Sequence, residues 1–552
     1  MSGRDDALPD PYPVGDAAEF HVAMTQDVQQ TLYGHLRPEY ADRQPGGSEY
    51  QPDRYEQGVI TTLTRSTGDS RVTYIVDDVV PPQTENDVHV RDGSLKLSSA
   101  YRARAATTIE HDPRKGIAYF HSHPGWSAYP SKPDLEADPM RLESNAERLG
   151  ADRPFGAGII ASKPRRETDQ PEWSFRAYDF TTGSPPEKTE ATAVRVLGTS
   201  PVEKLRDGPF LEKFETTFSA QGPAGPGLGS GMVAHDSTLE LWGERGQARL
   251  SGIRVAVVGC GGVGSLLAEQ IARLGVGGAI FVDFDHLKEA NLNRAYGASR
   301  EDARSNVRKA ELARNIAEEA ATAPGFQARA VHGSIVEDAN NDHSALGAVL
   351  DCDIILNAAD PHWVQKVVDR VAYAHLIPVV SGGTHLQVDE ETDKLAAGAR
   401  STVETAGPGM ACLHCLGAWK QGDRRSGVVR DRQPPQDRAD NGGLYVQREP
   451  GEADDGSDEL RDPSVVTTNG LVASLMMERF QALVVGTSTS TFAGRQVYRP
   501  STGEIQWQTA DGDRRTRCKD DCEKGRTVGL GDYVDLDTGE DHDLRVENPD
   551  VR

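Results

Sequence analysis

Short hydrophobic runs separated by polar turns dominate the first third of the chain. Residues 20–24 have the composition of a strand, and residues 27–36 repeat their apolar positions at helical spacing. Further runs rich in β-branched and aromatic residues span 58–63, 72–80, 116–120, 155–161 and 173–180. Together they predict a small mixed α/β domain over residues 17–185.

The pattern changes after residue 235. Apolar runs bounded by turns predict strands at 253–258, 278–283, 328–332, 354–356 and 377–380. Helical spacing separates these runs, most clearly over 265–274 and 307–321. Strands that alternate with helices are typical of a mostly parallel, doubly wound, Rossmann-like sheet. We therefore expect a second α/β domain over residues 236–525.

Three polar segments contain little that a core could bury. Residues 186–235 include a glycine- and proline-rich run at 222–231 that disfavours regular structure, which predicts a linker between the domains. Residues 421–462 are dense in Arg, Asp, Glu, Gly and Pro and predict a mobile loop. Residues 526–552 predict an acidic tail.

The charge balance limits the classes of partner. The chain has 60 Lys and Arg residues against 85 Asp and Glu residues, a formal net charge of −25, which argues against nucleic-acid or anionic-membrane binding. The first thirty residues lack the apolar stretch of a signal peptide, and no run approaches the ~18 apolar residues of a membrane span. We therefore expect a cytoplasmic protein. Its six cysteines are too few for a disulfide scaffold.

A candidate metal site follows the predicted strand at 116–120. His121 and His123 are two residues apart, so alternation along extended backbone directs both side chains to one face. Asp134 follows eleven residues after His123 and can return on the next helix. Two imidazole nitrogens and one carboxylate oxygen would bind Zn²⁺ with a fourth position open for water, which is the catalytic arrangement. Ser131 is expected beside that opening.

This segment, His-x-His-Pro followed by Ser-x-x-Asp, resembles the JAMM/MPN metallopeptidases, which remove ubiquitin and ubiquitin-like proteins from their conjugates. The resemblance implies a zinc peptidase with an upstream glutamate that takes a proton from the zinc-bound water. Glu56 is the first choice for this general base. Glycine follows it by two residues where the family usually has three, so Glu49 and Glu85 remain alternatives.

A glycine-rich turn connects the strand at 253–258 to the next predicted helix. Its glycines are Gly259, Gly261, Gly262 and Gly264. Such a turn bends tightly while the helix N-terminus faces a phosphate, and by itself it suits NAD or FAD as well as ATP. Asp283, nineteen residues past Gly264 at a strand end, can bind ribose hydroxyls in either case.

The polar residues that follow favour a reacting triphosphate. Asn291, Arg294 and Lys309 bring amide and cationic groups to the phosphate end of the sheet. The pyrophosphate bridge of a bound dinucleotide does not require extra cations. A triphosphate that reacts with a nucleophile does, because the negative charge that develops on its phosphates must be neutralised. Asp360 ends a predicted strand at the carboxyl edge, in position to hold Mg²⁺. Each residue alone also has a structural explanation, as a helix cap or a solvated charge.

With Asp285, Arg370 and the Ser-Gly-Gly at 381–383, this set resembles the ThiF/MoeB family and the adenylation domain of ubiquitin-activating enzymes. The resemblance implies ATP- and Mg²⁺-dependent adenylation of the C-terminal glycine of a ubiquitin-like or sulfur-carrier protein. It assigns the phosphates to the glycine turn, Arg294 and Lys309, and Mg²⁺ to Asp360. It also implies a homodimer formed through this domain.

The sequence departs from that family at one catalytic segment. Many relatives carry Arg-x-x-Arg shortly before the first strand, and the corresponding residues 235–238 read His-Asp-Ser-Thr. An arginine supplied across the dimer would then be missing or replaced, with Arg245 as a candidate replacement.

Four of the cysteines form two close pairs, Cys412 with Cys415 and Cys518 with Cys522. MoeB-like members of the family hold a structural zinc between two such pairs, although the second pair here has one residue more than usual. Four thiolates without an open position make a structural site. A redox pair or free thiols are the alternative.

These features predict a bifunctional enzyme of a ubiquitin-like protein system, which cleaves after the carrier's C-terminal glycine and adenylates the exposed carboxylate. The alternative is sulfur-carrier activation for cofactor synthesis, with one half serving only as a carrier-binding module. The further partner would be a conjugating enzyme in the first case and a sulfurtransferase in the second.

Overall fold

The computed structural model describes residues 19–36, 56–91, 94–165, 170–198, 209–219, 232–335, 345–359, 362–386, 388–389, 392, 394–396, 398–418, 464–486, 494–508 and 528–533. Within these ranges the chain forms two α/β units, each built on one large sheet.

The N-terminal unit contains eleven described strands. They are β1 Glu19–Thr25, β2 Gly58–Thr67, β3 Arg71–Val80, β4 Val88–Arg91, β5 Ser94–Leu97, β6 Gly116–His123, β7 Phe155–Ala161, β8 Trp173–Asp179, β9 Glu187–Glu190, β10 Ala193–Leu197 and β11 Leu211–Glu215. Strands β4 and β5 pair as a separate hairpin. The other nine form one mixed sheet in the order β11-β10-β1-β3-β2-β6-β7-β8-β9.

Helices cover both faces of this sheet. On one face, α1 (Gln26–Leu36) buries Leu32 and Leu36 among Phe20, Val22 and other inward residues of β1. On the other face, α2 (Ser99–Thr108) and α3 (Lys132–Leu149) pack on β2, β6 and β7, with Tyr101 and Leu142 in their core. Successive strand residues alternate between these two cores, as the pleat requires.

The second unit contains the strands β12 Arg254–Val258, β13 Gly278–Val282, β14 Gln327–Val331, β15 Ile354–Asn357, β16 Val379–His385, β17 Val388–Asp389, β18 Lys394–Leu395, β19 Arg400–Ala406, β20 Gly494–Arg499 and β21 Glu504–Gln508. Eight of them form a sheet in the order β14-β13-β12-β15-β16-β19-β20-β21. The first five run parallel, and β19, β20 and β21 each pair antiparallel with the strand before. Residues of β12 and β15 are apolar on both faces, as expected for central parallel strands.

The helices of this unit are α4 Asp236–Ser251, α5 Gly264–Arg273, α6 Arg300–Arg304, α7 Lys309–Ala320, α8 Leu346–Leu350, α9 His362–Ala374 and α10 Val466–Val485. The helices α4, α5, α7 and α10 pack on one face of the sheet, and α8 and α9 pack on the other. This is the doubly wound arrangement expected from the alternating pattern.

The structure confirms most of the predicted strands and helices and differs at two places. Residues assigned to a linker contribute β9, β10 and β11 to the first sheet, because Val194 and Val196 of β10 are buried in the core of the first unit while Leu197 and Leu211 are buried against the second unit. Residues 528–533, assigned to an acidic tail, pack against β2, with Leu530 buried. The segments 222–231 and 421–462 lie outside the described residues.

None of the described helices combines the length and the apolar character that crossing a membrane requires.

Candidate functional site

The first candidate site lies where β6 ends and α3 begins. Strand alternation gives His121 and His123 the same face, and Asp134 enters from the first turn of α3. Their Nε2 atoms are 3.3 Å apart, and the Asp134 oxygens lie 3.3 Å from His121 Nε2 and 3.2 Å from His123 Nε2. Among the described residues this is the one group of three or more His, Cys, Asp or Glu side chains with converging ligand atoms.

These distances fit a tetrahedral zinc ion. Bonds of about 2.0–2.1 Å at tetrahedral angles put neighbouring ligand atoms about 3.3 Å apart, which is the spacing of the three side chains. Burial opposes ionisation of Asp134, but hydrogen bonds with His121 and His123 hold its pKa well below the ordinary value, so the carboxylate is charged. The donor set therefore suits a divalent cation with one position left for water.

Ser131 contacts Asp134 directly. It is the N-cap of α3, and its hydroxyl and its backbone N–H donate to Asp134 Oδ2 at 2.6 and 2.7 Å. Ser131 thus orients the candidate ligand Asp134 while it caps the start of α3. The same capping box therefore fixes both the start of the helix and the position of this carboxylate.

The strand register favours Glu56 as the general base. Gly58 lies opposite His121 in the antiparallel pair of β2 and β6. The pairing continues beyond Gly58, since the Ser122 N–H donates to the Gln57 carbonyl at 2.8 Å. Residues opposite one another in such a pair share a face, so this register brings Glu56 opposite His123.

The structure describes one of the two alternative glutamates. Glu85 lies in the exposed turn between β3 and β4. Glu49 lies outside the described residues.

The second candidate site is the glycine turn between β12 and α5. Gly259 has a φ of 87°, and a Cβ atom there would meet the backbone of Ala359. A Cβ atom on Gly264 would meet the Gly259 carbonyl, and one on Gly262 would meet the amide of Asn469. Neighbouring protein atoms therefore leave no room for a side chain at these three glycines. The amide groups of this turn lie at the N-terminus of α5, where an anion is favoured.

Asp283 and Lys309 lie beside this turn. The Cys260 N–H donates to Asp283 Oδ2 at 2.8 Å, and Lys309 Nζ donates to Asp285 Oδ2 at 2.7 Å. Burial alone would lower the pKa of Lys309, but the carboxylates of Asp283 and Asp285 raise it above the ordinary value. Lys309 is therefore a firmly protonated cation at the carboxyl ends of β12 and β13.

Other predicted residues surround the same turn. Arg294 Nη1 donates to the Ala290 carbonyl at 3.0 Å, and its Cγ lies 3.4 Å from the position a Cβ on Gly262 would take. Asn291 Oδ1 accepts from the Lys288 N–H at 3.0 Å, so its side chain caps the short 3-10 helix Glu289–Asn291 from the third position. Asp360 lies outside the described residues, but it follows Ala359, which contacts Gly259.

Sequence reasoning missed Asn469 at this site. It lies in the first turn of α10, is buried, and has its amide against Gly262. No local pattern distinguishes it, because it comes within reach of the glycine turn only when α10 packs on α5.

Only the first cysteine pair can be described. Cys412 and Cys415 are buried in the turn after β19, where the Cys415 N–H donates to Cys412 Sγ at 3.5 Å. Asp369 orders this turn by accepting from the Leu413 N–H at 2.9 Å. Cys518 and Cys522 lie outside the described residues. Arg370, beside Asp369 on α9, is buried.

A glycine turn between the first parallel strand and its helix, followed by an acidic residue at the end of the next strand, defines a Rossmann-like nucleotide-binding unit. Residues 234–520, just over half of the chain, match the ThiF family. The chain belongs to the ThiF family.

Comparisons with individual proteins give more distant likenesses. The sulfur carrier protein ThiS adenylyltransferase of Bacillus subtilis is 26% identical over 194 residues, which are 34% of this chain and 51% of the relative. The SAMP-activating enzyme E1 of Haloferax volcanii is 28% identical over 174 residues, 32% of this chain and 57% of the relative. Among solved structures, Escherichia coli MccB with succinimide aligns with a TM-score of 0.35 at 16% identity, covering 50% of this chain and 71% of MccB. The chain thus spans about half the length of these curated relatives.

Proposed function

We propose that the chain is a bifunctional enzyme that cleaves a ubiquitin-like or sulfur-carrier protein after its C-terminal glycine and adenylates the same carboxylate. One observation supports each activity. The convergence of His121, His123 and Asp134 at zinc-ligand spacing supports cleavage. The glycine turn with Lys309 beside it, in a chain of the ThiF family, supports adenylation.

In the adenylation step, one oxygen of the carrier's C-terminal carboxylate attacks the α-phosphorus of ATP. The bond from that phosphorus to the bridging oxygen breaks, pyrophosphate leaves, and the carrier becomes an acyl adenylate. Lys309 and Arg294 neutralise the charge that grows on the phosphates. The amide groups of the glycine turn hold the phosphates, and Asp283 binds the ribose. Asp360 is the proposed Mg²⁺ ligand, and Mg²⁺ offsets phosphate charge when bound.

In the cleavage step, His121, His123 and Asp134 would hold the zinc ion. When bound, zinc would supply a lowered pKa for water and polarisation of the scissile carbonyl. Glu56 removes a proton from the attacking water and delivers it to the nitrogen of the departing amine. Water is thereby divided between the two products, with the hydroxyl on the carrier's terminal carboxyl group and the hydrogen on the amine. Ser131 keeps Asp134 oriented throughout.

A sulfur-carrier pathway is the second candidate. Two relatives support it by name, a ThiS adenylyltransferase and the adenylyltransferase and sulfurtransferase MOCS3, whereas ubiquitin-like modifier-activating enzyme 5 and the SAMP-activating enzyme E1 support the first candidate equally. Both pathways require the same acyl adenylate. They differ in the group that attacks it afterwards, which is a thiol of a conjugating enzyme in one case and a sulfur donor in the other. The partner that consumes the adenylate therefore decides between them.

Cys412 and Cys415 are proposed to share a structural zinc ion with Cys518 and Cys522. The N–H donation to Cys412 Sγ supports this, because such bonds stabilise a thiolate. Metal analysis of the full chain should give two zinc ions. The double variant Cys518→Ser with Cys522→Ser should retain one.

Adenylation is tested by ATP–pyrophosphate exchange with two purified carriers, ThiS from Bacillus subtilis and SAMP from Haloferax volcanii. At least one should support exchange, and Lys309→Ala should abolish it. Arg304→Ala, which removes an exposed cation of α6, should leave exchange unchanged. The same carrier with a short peptide after its terminal glycine tests cleavage, which His123→Ala should abolish. If the wild-type chain supports pyrophosphate exchange but does not cleave the extended carrier, the N-terminal half serves only as a carrier-binding module.

A further inference from the structure

The two units of the chain share a continuous buried interface. Ala23, Ile75 and Leu211 of the first sheet belong to the same apolar cluster as Leu250 and Val485 of the second unit. Residues on β1, β3, β10 and β11 alternate, so that one face of this half of the sheet is covered by the second unit. An interface that continues the hydrophobic core does not slide or hinge freely.

A buried charge cluster crosses the same interface. Asp353, which immediately precedes β15, pairs with Arg71 at 3.0 Å and Lys213 at 2.8 Å, and Arg195 lies 3.4 Å away. Asp353 also accepts from the Arg254 N–H at 2.9 Å, while the Arg254 side chain pairs with Glu19 at 2.6 Å. With the units still packed together, a shift of one against the other would leave buried charges without their partners, so the cluster favours one orientation of the two units.

The chain end adds a third connection. Residues 528–533 follow the second unit but pack on the first, where the Thr67 hydroxyl donates to Asp532 Oδ2 at 2.6 Å. The Gly529 N–H donates to the Tyr373 carbonyl at 2.9 Å, and the Gly529 carbonyl accepts from Thr64. This segment therefore contacts both units. Core, charges and chain end together hold the two units in one orientation.

Each candidate site lies at the far end of its sheet from this interface. Strand β2 passes from Gly58, opposite His121, to Thr64, which contacts Gly529, and this part of the strand spans about 20 Å. Strand β12 passes from Arg254, in the charge cluster, to the glycine turn, and its five residues span about 13 Å. The interface occupies the amino ends of the parallel strands, and the nucleotide site occupies their carboxyl ends.

We propose that the two sites act on a carrier in two separate encounters, so that the carrier cleaved at the zinc site leaves the chain and returns to be adenylated. This inference rests on the proposed function. The cleaved bond exposes the carrier's terminal carboxylate at one end of the molecule, and the α-phosphorus that this carboxylate must attack is held at the other. The fixed interface prevents the two sites from approaching one another within a chain.

Mixing two singly inactivated chains tests the proposal. The probe is the carrier that supports pyrophosphate exchange in the test above, extended by a short peptide so that it must be cleaved before it can be adenylated. One chain carries His123→Ala and cannot cleave, and the other carries Lys309→Ala and cannot adenylate. Each is added at the concentration used for the wild-type chain. We expect the mixture to adenylate the extended carrier at the wild-type rate, within about twofold, at every enzyme concentration.

A mixture at least tenfold slower than the wild-type chain, or one whose deficit grows as the enzymes are diluted, would overturn the proposal, since both results require transfer within one chain or one dimer. Separate assays of each variant distinguish this from failure of the proposed function. The His123→Ala chain must adenylate the unextended carrier, and the Lys309→Ala chain must cleave the extended one. If the wild-type chain does neither, the proposed function fails and the inference fails with it.

Discussion

Arg71, the first residue of β3, forms an ion pair with Asp353, at the start of β15, with 3.0 Å between Nη1 and Oδ1, and both side chains are buried. The two residues are 282 positions apart and belong to different units of the chain. Burial alone would raise the pKa of Asp353, but Lys213, Arg71 and Arg195 hold it well below the ordinary value. The carboxylate is therefore ionised in the interior, where it depends on its cationic partners.

Removing Asp353 should destabilise the whole chain. Asp353→Ala leaves the Arg71 and Arg195 guanidinium groups buried without their carboxylate, and we expect a loss of about 3–5 kcal/mol in the free energy of unfolding. Glu110→Ala is the control, since it removes an exposed ion pair with Arg148 worth about 0–1 kcal/mol. Denaturant unfolding of both variants checks the difference. Equal losses in the two variants would show that the Asp353 cluster does not hold the units together.

His375 should make stability depend on pH. It is buried at the same interface, with Nδ1 2.8 Å from Ser66 Oγ, and burial together with the nearby Arg195 lowers its pKa to about 3 from the ordinary 6.5. The folded pKa is depressed, so the unfolded chain takes up the proton first. The free energy of unfolding is therefore unaffected by His375 above pH 6.5. Below pH 6.5 it falls by about 1.4 kcal/mol for each pH unit.

Comparison with His375→Gln isolates this contribution. Between pH 7 and pH 5.5 the wild-type chain should lose about 1 kcal/mol more than the variant in the free energy of unfolding. Denaturant unfolding at the two pH values provides the measurement. If the wild-type chain and the variant lose the same free energy of unfolding, then His375 is protonated in the folded state, or it titrates at the same pH in the folded and unfolded states.

The parts of the fold that could be predicted are those set by local pattern. The strand Phe155–Ala161 and the helix Lys309–Ala320 have their periodicity in their own residues, and so does the segment from His121 to Asp134. In that segment a strand end and a capping box bring the ligands together without help from distant residues.

The interface could not be predicted in this way. Arg195 and Lys213 lie on short strands in a region whose glycines and prolines indicate a linker, and their charges argue for exposure. Arg195 is buried and Lys213 is partly buried because Asp353 neutralises them across the interface. Asn469 is a similar case at the nucleotide site, where only the packing of α10 brings its amide to Gly262. Long-range partners of this kind leave no periodic signal in the sequence.

Glu56→Gln should separate metal binding from cleavage. The change keeps the size of the side chain but removes the base, so we expect zinc content to be unchanged and cleavage of the extended carrier to fall at least about 100-fold. Glu85→Gln is the matched control and should cleave normally. Metal analysis and a cleavage time course measure both effects. Full activity of Glu56→Gln would exclude Glu56 as the base.

No carrier thioester should accumulate on this chain. Residues 416–471 contain no cysteine. Cys260 and Cys352 are buried, and burial raises the pKa of both thiols, which leaves little thiolate to attack an adenylate. The chain incubated with carrier, ATP and Mg²⁺ should therefore show no reductant-sensitive adduct by intact mass. An adduct mapped to any of the six cysteines would refute this and imply a full activation cycle within the chain.

The central claim is that one chain cleaves a carrier and then adenylates it, and an intact-mass time course of the extended carrier tests this most directly. With wild-type chain, ATP and Mg²⁺, the carrier should first lose its C-terminal peptide and then gain the mass of AMP. Without ATP the first change should occur alone, and with His123→Ala neither should occur. A carrier that keeps its extension with the wild-type chain, or that is cleaved and never gains AMP while ATP is present, would contradict the account.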